Sequence, residues 1–158
     1  MNTSKEGSVA SFFDLSGKIS LITGAGRGIG RAVALTLARA GSDVALVARS
    51  KDALQSGAQE IQVLGRRAMV FPADLTQIQQ ISSLAAEIAR ATGGIDILVN
   101  NAGINIPQDS VDVTEEAWDA VMNINLKAAF FMAQDVGKVM IAQARGGRII
   151  NMTSQTGS

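Results

Sequence analysis

The segment Thr23-Gly-Ala-Gly-Arg-Gly-Ile-Gly30 constrains this chain more than any other. It stands between a short β-rich run, Lys18-Ile-Ser-Leu-Ile-Thr23, and a stretch where Ile29, Val33 and Leu37 recur on one helical face until Gly41 ends it. A strand that turns straight into a helix through glycines exposes backbone N–H groups at a helix N-terminus and lets a pyrophosphate come close. Side chains at Gly24, Gly28 and Gly30 would obstruct that approach. A glycine-rich turn without a ligand is the alternative for such a cluster alone, and its placement between strand and amphipathic helix favours the phosphate cradle. The spacing is not G-x-G-x-x-G, because that would need glycine where Ile29 stands. No Gly-Lys-Ser/Thr follows, so it is not a P-loop either.

The same alternation continues downstream. Val44 to Ala48 predicts a second strand, 52–64 a weaker helix, and Ala68 to Phe71 a third strand. Thr76 is placed to cap the next helix, whose Ile78, Ile81, Leu84, Ala85 and Ile88 lie at helical spacing until Gly93-Gly94. Ile95 to Val99 predicts strand four. Thr114, with Glu115 and Glu116 behind it, opens one long helix to about Ala144, acidic where the helix dipole prefers. After Gly146-Gly147, Arg148 to Met152 predicts strand five. Continuous Val/Ile/Leu runs mark strands covered on both faces, so the expected fold is α/β, a doubly wound parallel sheet with strand five as an exposed apolar edge. Residues 1–14 read as a flexible lead-in, with Phe12, Phe13 and Leu15 expected to dock on a domain spanning 15–158.

Composition removes whole classes of function. The chain has 158 residues, 47% hydrophobic and 18% charged, enough for one domain with a real core. Fourteen basic residues balance fourteen acidic ones, which gives no basic field for nucleic acid or a membrane surface. With no cysteine and no histidine, thiolate and imidazole metal sites and Ser-His-Asp chemistry are absent, and no metal is expected. Neither a signal peptide nor a membrane span is legible, and a cytoplasmic location is expected.

The pattern T-G-x-x-x-G-x-G, with Asn100-Asn-Ala-Gly103 after strand four, resembles the compact, single-domain branch of the short-chain dehydrogenase/reductases, of which this chain looks like the N-terminal part. The resemblance implies a Rossmann-type sheet, incomplete at its C-terminal end, and hydride transfer between a nicotinamide dinucleotide and a ketone or secondary alcohol. It is closest in look to 3-oxoacyl-carrier-protein reductases and to sugar or polyol dehydrogenases. It further implies that Gly24, Arg27, Gly28, Ile29 and Gly30 hold the cofactor's phosphates. Asp74 and Leu75 would meet adenine, and Asn101, Ala102 and Gly103 would lie against the cofactor. Asn125 matches the family's asparagine that holds a water in the proton relay, and Ser154 matches the catalytic serine. A helix cap for Asp74 and a solvent-facing place for Asn125 are the plainer alternatives.

Strand two ends Val47-Ala-Arg-Ser50, with Ala48 where the family's NAD-selecting acid would stand. Arg49, beside Ser50, and Arg27 could both reach a ribose 2′-phosphate, so NADP(H) is favoured over NAD(H). The family's Tyr-x-x-x-Lys pair would fall just past Ser158, and this chain has no tyrosine at all. The 158-residue chain is therefore expected to be inactive by itself. Small-molecule carbonyls or alcohols are the expected substrates and a homodimer or homotetramer the expected full-length assembly. A non-catalytic dinucleotide-binding or regulatory module is the competing reading.

Overall fold

The structure is a computed structural model that describes residues 12–154. Five parallel strands form one sheet in the order β3-β2-β1-β4-β5. They are β1 (Ile19–Thr23), β2 (Asp43–Ala48), β3 (Ala68–Pro72), β4 (Ile97–Asn100) and β5 (Arg148–Asn151). The helices between them are α1 (Gly28–Arg39), α2 (Lys51–Val63), α3 (Ile81–Thr92), α4 (Glu115–Met122) and α5 (Ala129–Ala142). The five expected strands are all present, shifted by at most two residues at their ends.

Strand periodicity splits the core in two. Leu21, Ala45, Val47 and Leu98 point to one face, against Ile81, Ile88, Met132 and Val136 of α3 and α5. Ile22, Val44, Leu46 and Val99 point to the other, against Ala34, Ala38, Leu54 and Ile61 of α1 and α2. Burial of the same strand from both sides is what the unbroken apolar runs require. The chain reverses its winding direction between β1 and β4, and ligands of such sheets bind at the carboxyl edge of that switch point.

Four expectations need correction. The buried stripe of α1 is Gly30, Ala34 and Ala38, while Val33 and Leu37 flank it half-buried and Ile29 is 64% exposed. The helix lies so close to the strand below that only small residues fit between them. Thr76 does not cap α3, which has Gln80 at its N-cap; its N–H and hydroxyl instead both donate to Asp74 Oδ1, at 3.0 and 2.9 Å. A short turn over Ile78–Gln80 follows, and α3 begins only at Ile81. The expected single long helix is interrupted by a π-helical segment, Asn123–Ala128, between α4 and α5. Its start is as read, with Thr114 Oγ1 accepting from the Ala117 N–H at 3.2 Å. Phe12 and Phe13 do not dock; they are 80% and 70% exposed. Leu15 alone is held, its N–H donating to the Ala40 carbonyl at 2.7 Å. The rest of the expected lead-in lies outside the described residues.

β5 is the edge strand, and all four of its residues are exposed. Just before it, Ala144 adopts φ +52°, the one non-glycine residue with positive φ among those described. A side chain in the left-handed region costs an L-residue roughly 1–2 kcal/mol, part of which glycine recovers. Ala144→Gly is thus expected to raise stability by about 0.5–1 kcal/mol. A lowered midpoint in thermal or urea unfolding would contradict that assignment of the turn.

Candidate functional site

At the carboxyl edge, the loops after β1 and β4 are latched to each other. Thr23 Oγ1 accepts from the backbone N–H groups of Asn101 and Ala102, at 2.9 and 3.0 Å, and lies 3.4 Å from the Val99 carbonyl, to which it donates. In return Asn101 Nδ2 donates to the carbonyls of Thr23 and Gly24, at 3.0 and 3.4 Å. Gly24 sits at φ +66°, and a Cβ there would come within 2.9 Å of Ala102 Cα. A Cβ on Gly30 would lie 2.4 Å from the Gly24 carbonyl oxygen. These glycines are where two backbone segments touch.

The packing leaves the N-terminus of α1 open. Its first turn carries no acidic residue, and no side chain caps it. Unsatisfied N–H groups and the positive end of the helix dipole thus meet at one spot, which suits an anion. The glycine turn, where a Cβ at Gly24 or Gly30 would force the backbone segments apart, fits the pyrophosphate of a dinucleotide.

A cleft of about 700 Å³ runs from this point across the ends of β2 and β3. Gly24, Arg27, Gly28, Ile29, Gly30, Arg49, Ser50, Asp74, Leu75, Asn101, Ala102 and Gly103 all line it, so every residue singled out for cofactor contact comes to one place. Ile29, exposed against expectation as a core residue, forms part of this wall. Ala53 and Ile124 line it too and were not foreseen; helical periodicity marks neither as cleft-facing. A Cβ on Gly26 would meet the Cβ atoms of Ala48 and Ala53 at 3.4 Å, giving that end a floor of small residues.

The charges at that end are divided. Among the described residues, neither Arg27 nor Arg49 makes a side-chain ion pair or hydrogen bond. Ser50 caps α2, its Oγ accepting from the Ala53 N–H at 3.3 Å. The Thr76 N–H and hydroxyl hold the Asp74 carboxyl below the ordinary carboxylate range, with the Arg49 charge adding to the effect against the opposing pull of burial. Asp74 therefore stays ionised at neutral pH, with one oxygen engaged by Thr76 and the other available as an acceptor.

Neither of the two candidate catalytic residues itself lines the cleft. Asn125 lies in the π segment, a feature often found where function demands an irregular helix. Its Oδ1 accepts from the Ile104 N–H at 2.8 Å and its Nδ2 donates to the Ile104 carbonyl at 2.9 Å. Both ends of the side-chain amide thereby pin a loop whose residues Gly103 and Ile104 line the cleft. Ser154 lies three residues past β5, exposed. The last backbone bond before it runs from the Met152 N–H to the Asn100 carbonyl, at 2.9 Å. Among the described residues, no helix is long and apolar enough to cross a membrane.

Comparison with known proteins agrees with this geometry. The short chain dehydrogenase family profile matches residues 18–158. The chain is 40% identical over 146 residues to 2-dehydro-3-deoxy-D-gluconate 5-dehydrogenase of Escherichia coli, covering 92% of this chain and 57% of that protein. A short-chain type dehydrogenase/reductase from Mycobacterium marinum superposes with a TM-score of 0.90 at 42% identity, over 94% of this chain and 60% of that one. An NAD⁺-bound xylitol dehydrogenase superposes with a TM-score of 0.84 at 33% identity, over 89% and 54%. The chain thus spans somewhat over half the length of the proteins it matches.

Proposed function

The chain belongs to the short-chain dehydrogenase family, and on that premise we propose that the full-length protein moves hydride between NADP(H) and a ketone or secondary alcohol. The observation that carries this reading is the cleft itself, where the open N-terminus of α1, the glycine cradle and the latched loop at 101–103 share one edge of the sheet. The amides of Gly28, Ile29 and Gly30 would face the pyrophosphate, Asp74 and Leu75 the adenine, and Asn101 to Gly103 the nicotinamide half. When bound, the dinucleotide supplies or accepts the hydride. Ser154 would donate a hydrogen bond to the carbonyl oxygen and stabilise the charge that grows there. The proton would come from a tyrosine, as the family pattern implies, and none occurs among these 158 residues. Names of the relatives favour a polyol, sugar or sugar-acid substrate, with 3-oxoacyl compounds as the second class. Assembly as a homodimer or homotetramer belongs to the same proposal, supported by the exposed Trp118, Leu126, Phe130 and Ile141 along α4, the π segment and α5.

The NADP(H) preference rests on the neutral Ala48 and on two guanidinium groups lining the same cleft, neither of which makes an ion pair among the described residues. A charge-assisted hydrogen bond to a phosphate is worth roughly 1.5–3 kcal/mol, so one arginine suffices for about a tenfold preference. Full-length protein titrated by nicotinamide fluorescence should bind NADPH at least that much more tightly than NADH. Ala48→Asp with Arg49→Leu should reverse the order, since a carboxylate accepts from a 2′-hydroxyl and repels a 2′-phosphate. Equal affinities in the unaltered protein would sink the preference. D-sorbitol, xylitol and glycerol with NADP⁺, and acetoacetyl-coenzyme A with NADPH, form the panel that separates the substrate classes.

A further inference from the structure

Asn100 ends β4 and is 5% exposed, the one polar side chain of that strand. Directly beneath it, Leu98 and Val99 are 0% and 2% exposed, and the expected occupant of such a position is another apolar residue. Asn100 instead spends its Nδ2 on two acceptors. One is Asn151 Oδ1 at 3.0 Å, on the residue paired with it at the end of β5. The other is the main-chain oxygen of Ala129 at 3.1 Å, at the start of α5. Its own Oδ1 is buried with no hydrogen-bond partner among the described residues. A buried amide with one unanswered acceptor weakens the fold where an apolar side chain would not, which marks it for a task other than packing.

The two partners show what that task is. Ala129 directly follows the π segment that holds Asn125, and Asn151 lies three residues before Ser154. Ser154 comes two residues after Met152, whose N–H makes the last backbone bond to β4, so little else among the described residues fixes the direction in which Ser154 departs. We propose that Asn100 is a positioning residue, whose amide ties the end of β5 to the start of α5 and so sets the placement of Ser154 relative to the segment of Asn125. This rests on the catalytic reading of Ser154 given above.

The test uses full-length protein with the panel substrate it turns over fastest. Asn100→Asp keeps the volume and removes both donated bonds, and Asn151→Ala removes one of them at an exposed site. A misplacement of about 1 Å costs on the order of 100-fold, so kcat of Asn100→Asp should fall about 10- to 100-fold while the NADPH dissociation constant stays within about threefold. Asn151→Ala should lose part of the same rate, and the double variant no more than Asn100→Asp alone, because one bond cannot be lost twice. Amide hydrogen exchange should speed up together at 124–129 and at 152–154 in Asn100→Asp. Turnover within about twofold of the parent in a folded Asn100→Asp, or rate losses that simply add, would overturn the proposal. If Asn100→Asp does not fold, Asn151→Ala decides: unchanged kcat rejects the proposal and a fall with intact cofactor binding upholds it. Ser154→Ala run alongside separates the two readings. Turnover intact in that variant overturns the catalytic assignment and this proposal with it, whereas turnover lost there but kept in Asn100→Asp overturns this proposal alone.

Discussion

Replacing Ser154 with alanine in the full-length protein is expected to lower kcat by about 100- to 1,000-fold, or about 3–4 kcal/mol of barrier, and to leave NADPH binding nearly unchanged. Ser154 is not among the residues lining the cleft that would hold the dinucleotide, so its loss should take little from cofactor binding. It acts only when negative charge develops on the substrate oxygen, which places the whole effect on the chemical step. Steady-state kinetics with a parallel NADPH titration measures both halves. A kcat within about a factor of three of the parent would make Ser154 a strand-end residue without a catalytic role. Asn125→Ala should behave differently. Its amide holds both backbone groups of Ile104, so alanine would free a loop that lines the cleft and weaken cofactor affinity as well as turnover.

Gly30→Ala is the second large effect, and it is steric. A Cβ at this position would lie 2.4 Å from the Gly24 carbonyl oxygen and 2.5 Å from Asn101 Nδ2, and the nearer of these is backbone that cannot swing aside. Either α1 lifts from the sheet or the latch between the loops after β1 and β4 opens. Overpacking of this kind costs roughly 1–3 kcal/mol of stability. The shift also moves the helix N-terminus proposed to face the pyrophosphate, so NADPH affinity should drop on the order of 100-fold. Gly28→Ala is the informative contrast. It has φ +54° but nothing within 4 Å of an added Cβ, so it should show only the backbone cost of about 1–2 kcal/mol. Fluorescence titration and thermal unfolding of both variants give the comparison. Gly30→Ala binding NADPH within about threefold of the parent would rule out the close-contact account of this glycine.

The residues on the cleft wall were legible because their constraints are local. A glycine at a strand–helix junction, an asparagine pair ending an apolar strand, and a neutral alanine before an arginine are all readable in windows of a few residues. Asn125 shows the limit. Its place in the order of motifs could be read, but the partner of its side chain is Ile104, 21 residues earlier, and no pattern announces a contact across that interval. The π segment escaped for the same reason, since apolar residues recur through α4 and α5 closely enough to look like one helix. Thr76 was misread because a Thr before a helical pattern resembles a cap, whereas the chain makes a short turn over Ile78–Gln80 before α3 begins and Thr76 bonds back to Asp74.

What the sequence determined by itself is the alternation of β and α elements, the doubly wound class and the edge of the sheet where a ligand would sit. Those follow from periodicity and from where glycine must stand, both properties of neighbouring residues. What only the tertiary structure decided is the arrangement that makes the edge a site: Thr23 latched to Asn101, Asn125 turned to Ile104, and Asn100 joined to Ala129 and Asn151. Each of these is a hydrogen bond between segments 21 to 78 residues apart, and for Thr23 and Asn100 it is made because a polar group withdrawn from water at the end of a buried strand must find its partner in whatever element the fold brings alongside.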